Sequence, residues 1–273
     1  DVQGNLSLLN WDAKHDMFIQ AELKNLSVTQ PGIRYFMDNL TGSVPSILDR
    51  MEFVRFKGSA GGYFHDLQVG GLLQTAAGAV DANLLINSDL DFKRTYSGGV
   101  KSENLNLGKL LGDSKFGHVQ FNVDLEGFNY NDKYPESYIK GLVSSFDYSG
   151  YRYENISLDG IYKDGGFNGH LALDDENGKV RIDGSFNIAE TISDFNLYAT
   201  IQNLRLDKLN LSDKYIDSDI SFNLNADFTG SSIDDVNGRI LLDSLVLNAP
   251  QDKGYSLDNL TITAGKVGGE KEI

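Results

Sequence analysis

The chain has 273 residues, 40% of them hydrophobic and 11% aromatic, so it can bury a core and is not a disordered tail. A formal net charge of −15, with no polybasic patch, disfavours nucleic acid and anionic lipid headgroups as partners. The lack of cysteine excludes a disulfide scaffold, a zinc–thiolate site and a cysteine nucleophile.

Glycine is frequent, at 29, and proline scarce, at 4, the usage of a chain of turns and bends. A strand-like pattern is under way at the first residues, with Val2, Gly4, Leu6 and Leu8 in phase. There is no signal peptide and no apolar run long enough to span a bilayer. Because the chain opens without Met and ends in the polar "GGEKEI", we expect a piece of a longer protein whose anchor lies outside it. "VPSILDRM" (Val44–Met51) and "LGKLLGD" (Leu107–Asp113) each suit a helical turn or two, and nothing reads as a long amphipathic helix. "DLQVGGLLQTAAGAVDANLLIN" reads as a hairpin turning near Ala76–Gly78, and Val119, Phe121, Val123 and Leu125 alternate on one side of a further strand.

The strongest pattern is "NISLDGIYKDGGFNGHLALDDENGKVRIDGSFNI", Asn155–Ile188. Asp164-Gly165 and Asn177-Gly178 both suit two-residue hairpin loops with positive φ. With both as loop centres, Leu158 falls opposite Leu171, and Leu173 opposite both Ile156 and Ile182. The expected rows are then Ile156–Leu173–Ile182, Leu158–Leu171–Gly184, Gly160–Gly169–Phe186 and Tyr162–Phe167–Ile188. The other face carries Ser157, Asp159, Asn168, His170, Asp183, Ser185 and Asn187, with Ile161 as an exception. Stacked glycines predict a bend with Phe186 over the gap. Each large apolar side chain is worth about 1.5–3 kcal/mol when buried, so such a face demands a cover. Beyond it, "FNLYATI" (Phe195, Leu197, Ala199, Ile201) and "SFNLNADF" (Phe222, Leu224, Ala226, Phe228) alternate in the same way.

The chain also repeats itself. "SENLNLGKLLGDSKFGHVQFNVDLEG" from Ser102 matches "IQNLRLDKLNLSDKYIDSDISFNLNADFTG" from Ile201, with Asn104 and Asn203 aligned 99 positions apart. Tyr151 and Asn155 match Tyr255 and Asn259 at an offset of 104, and "IQAELKNLSV" at Ile19 matches "LYATIQNLRL" at Leu197 as a third start. Repeats of this kind suggest stacking along an axis. The expected blocks are 1–95, 96–200 and 201–273, in one continuous elongated all-β sheet.

No nucleophile, metal or phosphate motif is present. His15, His65, His118 and His170 are scattered, and His170 reads as a solvent-facing strand residue. "DDEN" (Asp174–Asn177) is rich in oxygen but lacks EF-hand spacing, and reads as a turn. The Asn-Leu-Ser/Thr sequons at Asn5, Asn25, Asn39, Asn210 and Asn259 read as bends and strand ends. An enzyme, a cofactor and a metal are not expected.

"YRYENISLDGIYKDGGFNGHLALDDENGKVRIDGSFNI" with "FNLYATIQNLRLDKLNL", together with Met51–Leu84 and Tyr96–Asp113, resembles the TamB/AsmA-like envelope proteins, in particular the long members from the Bacteroidetes. The resemblance covers most of Met51–Ala264 and rests on strand patterns. It implies antiparallel strands curled into a U-shaped trough, a β-taco, with an apolar interior. It also implies a periplasmic location, anchored in the inner membrane through a segment not in this chain. The implied role is bridge-like phospholipid transport to the outer membrane, or assembly of outer-membrane proteins with a TamA-like barrel partner bound through regions outside this chain. Neither the family's N-terminal membrane helix nor its C-terminal partner block is recognisable here.

On this reading phospholipid acyl chains are the partner, and the groove-lining residues are Ile156, Leu158, Phe167, Leu171, Leu173, Ile182, Phe186, Leu197, Phe222 and Leu224. The competing readings are a secreted or surface β-sandwich or solenoid binding module, whose apolar face a second sheet would cover, and a structural spacer. A membrane-facing barrel lacks its aromatic girdles.

Overall fold

In the computed structural model, residues 1–12, 16–41, 50–88, 94–128, 136–187, 193–214, 216–230, 237–250, 254–267 and 270–272 are described. The period-two pattern becomes strands: β1 (Val2–Leu9), β2 (Phe18–Thr29), β3 (Phe53–Tyr63), β4 (Asp66–Thr75), β5 (Gly78–Ser88), β6 (Arg94–Asn106), β7 (Phe116–Phe128) and β8 (Glu136–Tyr148). There follow β9 (Tyr151–Lys163), β10 (Gly166–Asp175), β11 (Gly178–Asn187), β12 (Asp194–Leu204), β13 (Asp219–Thr229), β14 (Asn237–Asn248), β15 (Tyr255–Val267) and the short β16 (Glu270–Glu272). Strand order is chain order in an antiparallel sheet that does not close into a barrel. The chain divides into two compact units, Asp1–Ser137 with Gly141–Arg152, and Tyr138–Lys140 with Tyr153–Ile273.

Two helices with described bounds lie between the strands. The expected turn at Leu107–Asp113 is the helix α2 (Leu107–Leu111). The Asn106 side chain caps its start by accepting from Lys109 N at 2.8 Å, and Gly112 ends it at φ 73°. The Arg50 guanidinium donates to the last carbonyls, Leu110 O at 2.9 Å and Leu111 O at 2.7 Å. The sequence reading missed α1 (Gln30–Thr41), which has twelve residues with Pro31 in its first turn, where a missing N–H costs nothing. Most of the turn expected at Val44–Met51 lies outside the described residues.

The repeat is visible in the registers. Three strands leave the sheet through the same irregularity, each with an Asn-Leu pair inside it. Pairing jumps from Leu23 to Leu26 in β2, from Ser102 to Leu105 in β6 and from Ile201 to Leu204 in β12. These are the three aligned starts. After each jump the chain leaves the strand through a connecting segment: α1, α2 and the turns at 205–214. In the first unit Leu110 of that segment is buried with Ala77, Leu105 and Val119, and Met51, Leu107, Phe121 and Phe146 pack around them. In the second unit Leu209, 99 positions on, is 0% exposed, and its carbonyl accepts from Tyr153 Oη at 2.9 Å.

The hairpins repeat as well. Tyr63 pairs with Asp66 as Lys163 pairs with Gly166, and Thr75 with Gly78 as Asp175 with Gly178. In both later turns a side-chain oxygen at the first position accepts the N–H two residues on: Thr75 Oγ1 from Ala77 at 3.1 Å, and Asp175 Oδ1 from Asn177 at 2.9 Å.

That turn corrects the expected register. The first loop is Asp164-Gly165 as read, both with positive φ, and Leu158 faces Leu171. The second loop is Glu176-Asn177, with Gly178 already in the strand. Leu173 therefore faces Val180 rather than Ile182, Leu171 faces Ile182, Gly169 faces Gly184, and Phe167 faces Phe186. Ile188, expected opposite Phe167, lies outside the described residues. Asp175 decides the difference. It is buried, and its other oxygen accepts Glu154 N from the neighbouring strand at 3.0 Å, so the turn closes on Asp175 rather than one residue later. Replacing Asp175 by alanine strands two backbone N–H groups. The expected loss is about 1–3 kcal/mol of stability, read as a lower urea midpoint with unchanged slope.

Candidate functional site

The candidate site is the apolar face of β9–β13, whose lining residues, from Ile156 onward, all belong to the second unit. A two-residue slip preserves which face a side chain occupies, so all ten expected lining residues lie on one face despite the corrected register. Four rows cross the strands. The first is Ile156–Leu173–Val180–Ile201–Phe222, and the second Leu158–Leu171–Ile182–Ala199–Leu224. The third is Gly160–Gly169–Gly184–Leu197–Ala226, and the fourth Tyr162–Phe167–Phe186–Phe195–Phe228.

The expected glycine bend is thus three glycines deep, and Phe186 stands in the next row rather than over the gap. The ring that does cover a glycine is that of Phe167. A methyl group added to Gly160 would come within 2.6 Å of its Cζ. Phe167 and Phe186 lie with centroids 5.8 Å apart, and Phe195 and Phe228 stack at 4.7 Å.

Two rows run on into β14 and β15, as Leu224–Leu242–Leu260 and Ala226–Ile240–Ile262. The sequence reading did not find these residues. Ser244, at φ 55°, inserts a shift into β14, and "ILLDSLVL" then loses its alternation. Val180 was missed because the turn was placed one residue late.

Burial separates this face from a closed core. Ala199, Ile201 and Ala226 are buried, but Ile156, Leu158, Phe167, Leu171, Leu173, Ile182, Phe186, Leu197, Phe222 and Leu224 are all only half-buried. Facing sheets of a sandwich interdigitate and leave such positions inaccessible. Here the apolar rows pack against their own neighbours and keep part of their surface open.

The opposite face is polar. Asp159, His170 and Asp183 form one row across β9–β11. Asp159 accepts from Lys140 Nζ at 2.8 Å and Tyr138 Oη at 2.5 Å, and the Lys140 ammonium, followed by the Tyr138 hydroxyl, holds its carboxyl below the usual carboxylate range. His170 is exposed, with Nδ1 against Asp183 Oδ1. Within "DDEN", Asp174 pairs with Lys179 at 2.7 Å and Asp175 serves the backbone. Of the sequon residues, Asn25 sits in the β2 irregularity and Asn210 in a turn at φ 56°. No group of three or more His, Cys, Asp or Glu placed to hold a metal occurs among the described residues.

No family model, curated protein or solved structure matches this chain.

Proposed function

We propose that the chain is a lipid-handling segment of a TamB/AsmA-like envelope protein, in which the half-open apolar face lines a trough for phospholipid acyl chains. One observation carries this reading. Rows of mostly apolar side chains cross five consecutive strands, carry no charged group and remain partly exposed, while the other face is mostly polar. Contact of a methylene group with such rows is worth about 0.8 kcal/mol without directional bonding, so a tail can slide along them. On this reading the segment works in the periplasm, held to the inner membrane by a part of the protein outside this chain. It passes phospholipid toward the outer membrane or assists outer-membrane protein assembly with a TamA-like barrel. The same geometry without cargo would be a structural spacer.

A photo-crosslinking residue at Leu171, and separately at His170, in cells tests the choice. Phospholipid adducts are expected at Leu171 and few at His170. Equal labelling at both, or protein–protein adducts alone at Leu171, would overturn the conduit.

A further inference from the structure

The polar side of the first unit carries a depression that the proposed lipid face does not use. It encloses about 580 Å³ over β2–β5. Two rows build it. Gln20–Gly61–Gln68 crosses β2, β3 and β4, and Glu22–Ser59–Gly70–Asn83 runs one strand further. The floor is main chain, at Gly61 and Gly70. A methyl group added to Gly61 would meet nothing within 4 Å, and one added to Gly70 would come no closer than 3.5 Å to Asn83 Oδ1.

The repeat shows what this surface does elsewhere. Ser59, Gly61, Gln68, Gly70 and Asn83 hold the same register places as Asp159, Ile161, Asn168, His170 and Asp183 in β9–β11. There the side chains cover the strands and satisfy one another: Asp159 accepts from Lys140 and Tyr138, and His170 meets Asp183. In the first unit glycines replace Ile161 and His170, and a hydroxyl and an amide replace the two carboxylates. Gln68 Nε2 donates to Asn83 Oδ1 at 3.3 Å, which leaves the Asn83 amide nitrogen as a donor. Among the described residues, the side chains of Gln20, Glu22 and Ser59 make no hydrogen bond.

The lining selects a ligand chemistry. Glu22 is its one charged side chain among the described residues. The depression therefore offers no cation to a phosphate and too few carboxylates to hold a metal. Amides, a hydroxyl and a single carboxylate suit a ligand rich in hydroxyl groups, each both donor and acceptor. The next row, Phe18–Tyr63–Asp66, adds an aromatic platform. Tyr63 is 47% exposed, and its ring is held by Phe18 edge-on at 5.3 Å and by His65 stacked at 5.5 Å. A fixed ring beside polar side chains matches a sugar, which has an apolar C–H side and a belt of hydroxyls.

We propose that this depression binds two successive uncharged sugar units of a glycan. Tyr63 lies two residues along β3 from Gly61, about 7 Å. One sugar stacks on Tyr63, and its neighbour sits over Gly61 and Gly70 with its hydroxyls held by Gln20, Glu22, Ser59 and the Gln68–Asn83 pair. The inference is independent of lipid.

An array of neutral, N-acetylated and acidic oligosaccharides is probed with the chain, and the strongest uncharged binder is titrated against variants. Gly61→Ile copies Ile161 into the floor, Asn83→Ala removes an exposed amide, and Tyr63→Ala removes the platform. Each is expected to weaken binding about tenfold or more, the worth of about one hydrogen bond. Asn168→Ala, at the place in β10 that Gln68 holds in β4, should bind as the parent does. Urea midpoints report folding, and if Gly61→Ile does not fold, Asn83→Ala and Tyr63→Ala decide. Binding of no uncharged oligosaccharide, preference for acidic ones, or parental affinity in the folded variants would overturn the proposal. Lipid labelling at Leu171 reads the apolar face of β9–β13, so either result can fail without the other.

Discussion

Replacing Gly184 by alanine is expected to cost about 2–6 kcal/mol of stability, the strain of an unfavourable backbone added to an overpacked contact. Gly184 lies in the middle of β11 at φ 135°, where an L side chain is strained. The added methyl group would also stand 2.3 Å from Asn196 O and 2.7 Å from Leu197 Cα, backbone atoms of the adjacent strand. Neither atom can turn away as a flexible side chain would, so β11 and β12 must separate at the glycine row. Gly61 in β3 provides the control, because a methyl group there meets nothing within 4 Å. Gly61→Ala should be neutral or stabilise by about 0.4–1 kcal/mol, since alanine restricts the unfolded chain. Urea midpoints of the two variants should move apart. Equal small effects would mean that the two strands give way at low cost, and that the glycine row is not a structural requirement.

Truncating Leu209 to alanine comes next, with an expected loss of about 2–5 kcal/mol. Leu209 is 0% exposed, whereas the other large apolar side chains among the described residues are at most nearly buried. Its surroundings are tied down. Leu209 N donates to Arg205 O at 3.0 Å, Arg205 N to Asn177 O at 2.8 Å, and Tyr153 Oη to the Leu209 carbonyl at 2.9 Å. A cavity left by the missing methyl groups therefore cannot collapse readily, which places the expected value in the upper part of that range. Leu110→Ala, at the equivalent place in the first unit, starts from a side chain that is 8% exposed and should cost less. If Leu209→Ala unfolds at the parent midpoint, Leu209 is a passive part of the connection after β12 and not a buried anchor of the second unit.

The two variants bear on function differently. Gly184 belongs to the rows proposed to carry acyl chains, and Leu209 to the segment at the strand ends beside them. A lipid-loading assay on whichever variant folds separates the wall of the proposed trough from the connection beside it. Gly61→Ala, in the other unit, should load as the parent does.

The sequence by itself determined which face each side chain takes, because strand period is two and every turn in β9–β11 holds an even number of residues. The ten proposed lining residues therefore share a face although the second hairpin was placed one residue late. It also determined the three Asn-Leu starts, which recur as local sequence wherever the pairing with the next strand jumps. Only the tertiary structure decided what depends on a neighbouring strand. The second turn closes on Asp175 because Glu154, more than twenty positions earlier, donates to it, and no local pattern records that bond. The stacking of Gly160, Gly169 and Gly184 follows from that one turn. The phase of β14 is broken at Ser244, so its apolar residues could be assigned to a face only once β13 and β15 were seen beside them. Period and turn chemistry are local and were legible; register, and the open or covered state of a face, are set by strands far away in sequence and were not.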